Sequence, residues 1–421
     1  MISAVIFLIH LLLAVSVASK AVDLNLFSKH TTLEQRATKP VAAAYYPDWA
    51  SDTNAPSDLD FSKFDILLFA FATPNSDSGI TYDSGSTSTL QTLVSSAYNS
   101  GHGTKVVLSI DMRGWSGSHW FSQSVGSSSN RKKFVDACVS AVNTYNLDGI
   151  DIDWEYPNQS GAGNPYSSSD AANLLSFFTE LRSALGSSKI ISAAVTDLPW
   201  IGSNGNPLTD VSAYAKQMTY ANIMNYDIFG ASTTAPGPNA PLSNACNNST
   251  QPQYSAHAAY TQWTKAGFPA SQLLLGLPLY GYASKSTKTS LSDIAEASPL
   301  LGAHPHAKPN QTIAETAGDL SSYWGQQIPF NQIIALGALK ESSQDTFKSA
   351  DGYTEDWDSC SDTPFLFDTS RTTVVTYDDT HSLADKAAYA HNQGMGGCFT
   401  WSLDQDYNYV LQDVIRSNLG L

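Results

Sequence analysis

From Val41 onward the chain alternates between two rhythms. Eight short runs are rich in apolar residues: VAAAYY (41–46), DILLFAF (65–71), KVVLSI (105–110), DGIDIDW (148–154), IISAAVT (190–196), ANIMNY (221–226), LLLGLPLY (273–280) and GGCFTW (396–401). Runs of this length and composition predict strands, most of them buried on both faces as in a parallel sheet. Between several of them, apolar residues return at helical spacing. NRKKFVDACVSAVNTYN (130–146) precedes the fourth run, and SDAANLLSFFTELRSAL (169–185) follows it with Ser169 and Asp170 as cap candidates. HSLADKAAYAHNQG (381–394) leads into the eighth run and closes on glycine, a favoured helix terminator.

Eight such alternations within residues 41–416 predict one (β/α)8 TIM barrel, an α/β fold, and not two domains. The seventh and eighth runs lie far apart, so residues from about 283 to 366 are read as an insertion between strands seven and eight. No Pro/Ser-rich linker and no fixed-period repeat divides the chain. Residues 20–40 are mostly polar and aperiodic and read as a flexible N-terminal arm. Residues 1–19, MISAVIFLIHLLLAVSVAS, form an apolar run ending in small residues, the pattern of a signal peptide. A membrane anchor is the alternative, but the run is marginal for a span and no basic cluster follows it. The expectation is a secreted, extracellular protein, free of the membrane after signal removal and monomeric by default.

Composition narrows the picture. Hydrophobic residues make up 42% and charged residues 14% of 421, which suits a core-rich globular protein. The net charge of −16 repels phosphate backbones and argues against a nucleic-acid partner. Four cysteines suit an oxidising compartment. Cys246 and Cys360 lie in polar contexts and are expected to pair, while Cys138 and Cys398 lie in apolar ones and are expected to be buried thiols. No C-x-x-C pair suggests a structural zinc. Sequons at Asn158, Asn247, Asn248 and Asn310 are candidate glycan sites on surface loops.

The fourth run breaks the apolar pattern. DGIDIDWEY (148–156) places four carboxylates within eight residues. Alternation along a strand puts Asp151, Asp153 and Glu155 on one face and Ile150, Ile152 and Trp154 on the other. Asp148 falls outside that series and is expected to shape the start of the strand. Burying like charges costs stability, so folding alone gives no reason to keep them. Crowded carboxyls push one another's proton affinity up, which yields a protonated acid beside ionised partners, the equipment of general-acid catalysis. A divalent cation held by D-x-D-x-E, or a solvated edge strand, would also account for the pattern.

DGIDIDWE matches the D-x-x-D-x-D-x-E signature of family 18 glycoside hydrolases, the chitinase family. AYYPDW (44–49), FAFAT (69–73), MNYD (224–227), GLPLYG (276–281) and GGCFTW resemble the family's first, second, sixth, seventh and eighth strands in order. The resemblance runs from Val41 to about Asp406 and looks closest to secreted fungal members. It implies a chitinase that hydrolyses β-1,4 links between N-acetylglucosamine units by a retaining, substrate-assisted route, without metal or organic cofactor. Glu155 would protonate the leaving oxygen and then serve as base. Asp153 would hold the substrate's acetamido N–H, Asp151 would share a proton or hydrogen bond with Asp153, and Tyr226 would bind the acetamido oxygen. Trp401 would floor the subsite of the cleaved sugar, lined by Tyr45, Phe71 and Met224. Asp227 and Tyr280 would bind the sugar, and Trp49, Gly114 and Trp115 would shape neighbouring subsites. Trp263 reads as core.

Two departures from the family pattern stand out. The family's S-x-G-G-W after strand three reads SIDMRGW here, with Asp111, Met112 and Arg113 where one glycine is expected. Tyr282 occupies a position where many members have Arg. Two rivals remain open on sequence: an endo-β-N-acetylglucosaminidase acting on N-glycans, and a chitin-binding lectin without catalysis.

Overall fold

The computed structural model describes residues 39–111, 117–161, 163–292, 317–343 and 346–421. The expected signal peptide, nearly all of the arm, the sequon at Asn310 and the segment holding Gly114 and Trp115 lie outside the described residues. All eight expected strands form. Seven are β1 (Val41–Pro47), β2 (Ile66–Pro74), β3 (Lys105–Ile110), β4 (Gly149–Ile152), β5 (Ile190–Val195), β6 (Tyr220–Ile223) and β7 (Leu273–Pro278). Among the described residues the insertion holds five strands of one sheet, β8 (Tyr280–Lys285), β9 (Gln326–Pro329), β10 (Thr354–Asp358), β11 (Thr363–Asp368) and β12 (Thr373–Thr376), and a separate hairpin of Leu339–Ser343 with Thr346–Ser349. The eighth barrel strand is β13 (Gly397–Trp401). Parallel pairing runs from β1 through β2 to β7 in chain order, then to β13 and back to β1, closing the barrel.

Period-two alternation divides the barrel side chains into two buried sets. On β1, Ala43 and Tyr45 point into the barrel with Leu68, Val107, Ala194, Met224 and Phe399. Ala42, Ala44 and Tyr46 point outward to the helical layer. That layer includes α1 (Ser86–Ser100), α2 (Ser128–Tyr145), α3 (Asp170–Leu185), α4 (Ala256–Lys265), α5 (Thr380–Asn392) and α6 (Val410–Asn418). Phe134 of α2 stacks on Phe177 of α3 at 4.9 Å, two fully buried rings that each contribute ~1.5–3 kcal/mol by leaving water. Trp263 of α4 is fully buried, as expected of a core residue, and its indole N–H donates to Thr196 O at 2.9 Å.

Helix ends depart from the sequence reading in one place. Ser169 makes no capping bond; instead Asp170 Oδ2 accepts from the backbone N–H of Ser167 at 2.7 Å. The α5 start is a full capping box between Asp379 and Ser382, and Gly394 beyond its end takes φ +64°.

Strands β8 to β12 form one antiparallel sheet in the order β9–β8–β12–β11–β10. They reach beyond 283–366 at both ends. LLLGLPLY is in fact two strands: β7 ends at Pro278, Leu279 donates its N–H to Trp401 O, and Tyr280 opens β8. A Cys246–Cys360 disulfide ties the segment after β6 to the turn between β10 and β11, while Cys138 and Cys398 are buried free thiols. Asn158 is a poor glycan acceptor. Its side chain is buried, donating to Ser168 O at 2.9 Å and accepting from Ala171 N at 2.7 Å. Asn247 and Asn248 are exposed. Among the described residues no helix is long and apolar enough to cross a membrane.

Candidate active site

The acids of the fourth strand fall on the faces that alternation requires. Ile150, Ile152 and Trp154 pack into the outer layer, where Trp154 stacks on Phe121 at 5.3 Å. Asp151, Asp153 and Glu155 are all buried, at 0%, 3% and 4% exposure, which rules out a solvated edge strand. Asp148 lies at the opposite end. Its Oδ2 accepts from Val106 N at 2.9 Å and its Oδ1 pairs with Lys105 at 3.2 Å, anchoring the start of β4.

Asp151 is the deepest acid and the most fully bound. Its Oδ2 accepts from Tyr45 Oη at 2.9 Å and Ser109 Oγ at 2.7 Å. Its Oδ1 accepts from Ser192 Oγ at 2.6 Å and Asn222 Nδ2 at 3.1 Å. Burial raises its proton affinity while these bonds oppose the rise. Ser109, Ser192 and Asn222 were missed as site residues. Their signal was a polar side chain at an inward position of an otherwise apolar strand. Asp151's oxygens are taken by these four donors, and Asp153 Oδ1 has no hydrogen-bond partner among the described residues.

Asp153 is pushed well above the usual carboxylate range, first by burial and then by the charges of Asp111, Glu155 and Asp151. Tyr226 stands beside it, 5% exposed, its hydroxyl held protonated by burial and by the negative charges around it. A neutral phenol is a dependable hydrogen-bond donor. Among the described residues, no three His, Cys, Asp or Glu side chains converge in a metal-binding arrangement.

Aromatic rings enclose the acids. Trp401 at the end of β13 lies 5.2 Å from the Tyr45 ring and stacks on Phe71 at 5.7 Å and 20°. Met224, Tyr226 and Tyr280 belong to the same buried cluster, and Trp49 packs against it from outside. Apolar ring faces rimmed by hydroxyls and carboxyls suit a sugar, whose faces are apolar and whose edges are polar. Cis peptides occur at Ala70–Phe71 within β2, at Glu155–Tyr156 beyond β4 and at Trp401–Ser402 at the end of β13.

Asp227 closes one side. Tyr280 Oη and Tyr282 Oη donate to its Oδ1 at 2.6 and 2.7 Å, and Gln327 Nε2 approaches the same oxygen at 3.3 Å. A phenol from β8 and an amide from β9 steer this carboxylate. The inserted sheet thus reaches into the barrel mouth.

The profile of Glycosyl hydrolases family 18 matches residues 41–406. The chain belongs to that family. A Rhizomucor miehei chitinase is 31% identical and superimposes with a TM-score of 0.73, covering 90% of this chain and 99% of the other. A chitinase-like effector of Moniliophthora roreri is 33% identical over 90% of this chain and 93% of its own length. A chitinase-like agglutinin of Robinia pseudoacacia, 25% identical, superimposes with a TM-score of 0.66 over 90% of this chain and 99% of its own.

Within this family 18 barrel, Gly276 of β7 makes room for Tyr226. A Cβ there would lie 2.3 Å from Ile223 O, 2.7 Å from Phe399 Cζ and 2.9 Å from Tyr226 Cε1. Gly276→Ala is therefore expected to destabilise the fold by about 1–3 kcal/mol through overpacking and to dislodge the Tyr226 ring. Denaturant unfolding checks this, and unchanged stability would contradict the packing argument.

Proposed function

We propose that the protein is a secreted chitinase, cleaving β-1,4 links between N-acetylglucosamine units with retention of configuration. The observation that carries this reading is the inward set Asp151, Asp153 and Glu155 at a mouth walled by Tyr226 and Trp401. Glu155, last in the series, gives its proton to the glycosidic oxygen as the C1–O bond breaks. The substrate's 2-acetamido carbonyl oxygen attacks C1 and closes an oxazolinium ring. Asp153 accepts the acetamido N–H as an anion and offsets the positive charge, and Tyr226 donates its hydroxyl to the acetamido oxygen. Glu155 then takes a proton from water, which adds to C1 from the face the leaving group vacated. Only an N-acetylated sugar supplies the nucleophile, so the route itself selects this class of polymer.

A second reading has its own support. Curated relatives from two Moniliophthora species, 33% and 32% identical, are named chitinase-like effectors, and the Robinia relative is named an agglutinin. On that reading the barrel binds chitin oligosaccharides and releases nothing. Incubation with a graded series of chitin oligosaccharides separates the two. Shorter oligosaccharides with retained β configuration are expected; binding without products would establish the lectin reading. Release of glycans from a glycoprotein, with no action on chitin oligosaccharides, would favour the endo-β-N-acetylglucosaminidase.

A further inference from the structure

Beyond the end of β6, Asp227 takes a left-handed backbone with φ +60°. Outside glycine such a conformation is uncommon, and it persists where the surroundings fix it. The fixing group here is Asn239, 1% exposed. Its Oδ1 accepts from the Asp227 N–H at 2.9 Å, and its Nδ2 donates to Tyr280 O at 3.1 Å. An acceptor and a donor are needed side by side, which an amide supplies and a carboxylate does not. The main-chain carbonyl of Asn239 also accepts from the Ile228 N–H at 3.0 Å. Asp227 and Tyr280, bridged through their backbones by Asn239, meet again through their side chains, where Tyr280 Oη donates to Asp227 Oδ1. Further along, Leu242 N donates to Ser361 O and Ala245 N to Cys360 O, both at 2.9 Å, before the Cys246–Cys360 disulfide. Residues 239–246 therefore form a strap from the turn between β10 and β11 to the backbone of Asp227.

We propose that Asn239 is a positioning residue: it holds Asp227 in its sugar-binding orientation before any sugar arrives, and so sets the affinity of the mouth for N-acetylglucosamine oligosaccharides. Asn239 acts through Asp227 and is itself buried beneath it. Without the amide, the Asp227 N–H loses its acceptor and the left-handed backbone loses its support. Relaxation of φ to a negative value would swing the Asp227 side chain away from the hydroxyls of Tyr280 and Tyr282. A sugar would then have to restore the orientation at the expense of its own binding free energy, which is what preorganisation avoids. The effect on affinity rests on the reading of the mouth as a sugar site, whereas the clamp on Asp227 does not.

Two readouts on the full chain separate these. The first is calorimetric binding of a chitin tetrasaccharide, measured in the Glu155→Gln background so that the ligand survives. Asn239→Asp keeps the size and the acceptor but loses the donor; Asn239→Leu loses both. Each is expected to weaken binding by about tenfold or more. Asp227→Gly removes the carboxylate and adopts a positive φ freely, so Asn239→Leu added to Asp227→Gly is expected to cost no further affinity. Unchanged affinity in folded Asn239→Leu overturns the proposal. An equal loss with and without Asp227 also overturns it, because Asn239 would then support only the fold. The second readout is hydrogen exchange at the Asp227 amide, which needs no variant to fold. In the parent protein that amide is expected to be protected before sugar is added; protection that appears only with sugar overturns the proposal. A protected amide in a parent protein that binds no tetrasaccharide supports the clamp and overturns the sugar reading instead.

Discussion

Glu155→Gln is expected to abolish nearly all hydrolysis, by at least 10²–10⁴-fold, while oligosaccharide affinity stays within tenfold, about 1.4 kcal/mol. Glutamine keeps the size and planarity of the side chain but has no proton to give the leaving oxygen. The aromatic walls of the proposed sugar site, Trp401, Phe71 and Tyr45, are untouched by the change. Turnover of a chitin oligosaccharide and calorimetric binding of the same compound check the two halves. An active variant would remove Glu155 from the role of acid. A second consequence concerns stability. Asp153 has its folded proton affinity raised, with Glu155 among the causes, above an unfolded value of about 3.9. Stability from such a group is fully present below the unfolded value and is lost as pH rises through the folded one. Removing the Glu155 charge lowers Asp153 toward its ordinary range and shrinks that loss. The melting temperature of the variant is therefore expected to fall less than that of the parent as pH rises from the acid range to neutrality. Equal slopes would show that the two carboxyls do not interact in the folded state.

The barrel was legible because its signals are local. A buried parallel strand needs apolar residues on both faces, and eight such runs announce themselves without any knowledge of the partners. The acid series was legible for the opposite reason. Asp151, Asp153 and Glu155 violate the apolar rule at alternate positions, and period two alone places them on one face. What stayed hidden depends on the partner strands. Ser109, Ser192 and Asn222 are ordinary residues until closure of the barrel brings them from three strands to the two oxygens of Asp151. Asp111 looked like a disturbance of a glycine-rich loop, and only the register between β3 and β4 shows it level with Asp153. Tyr282 looked like a departure from the family pattern. The inserted sheet turns it back over the mouth, where it holds Asp227. The break inside LLLGLPLY was invisible because both halves are apolar, and only the change of sheet at Leu279 divides them.

Lys386→Met is expected to destabilise the protein by about 3–5 kcal/mol, the usual cost of stranding one partner of a buried pair. Lys386 of α5 and Asp378, which follows β12, are both completely buried and form an ion pair through Asp378 Oδ1. Ser382 Oγ donates to the same oxygen at 2.6 Å, while Asp378 Oδ2 has no hydrogen-bond partner among the described residues. Without the ammonium, a serine hydroxyl alone faces a buried carboxylate. The site must then protonate or admit water, and either costs stability. Replacing both residues, as in Lys386→Met with Asp378→Leu, removes the stranded charge and is expected to recover most of the loss. Urea unfolding of the two single variants and the double variant forms a cycle whose coupling energy tests the pair directly. Additive losses would mean that the two charges do not stabilise one another. The pair also bears on the site. It fixes α5 to the end of the inserted sheet, and α5 delivers the chain into β13, which ends at Trp401. Lys386→Met studied well below its melting point should keep the parent's affinity for chitin oligosaccharides, because the defect lies in the population of folded molecules and not in the shape of the mouth.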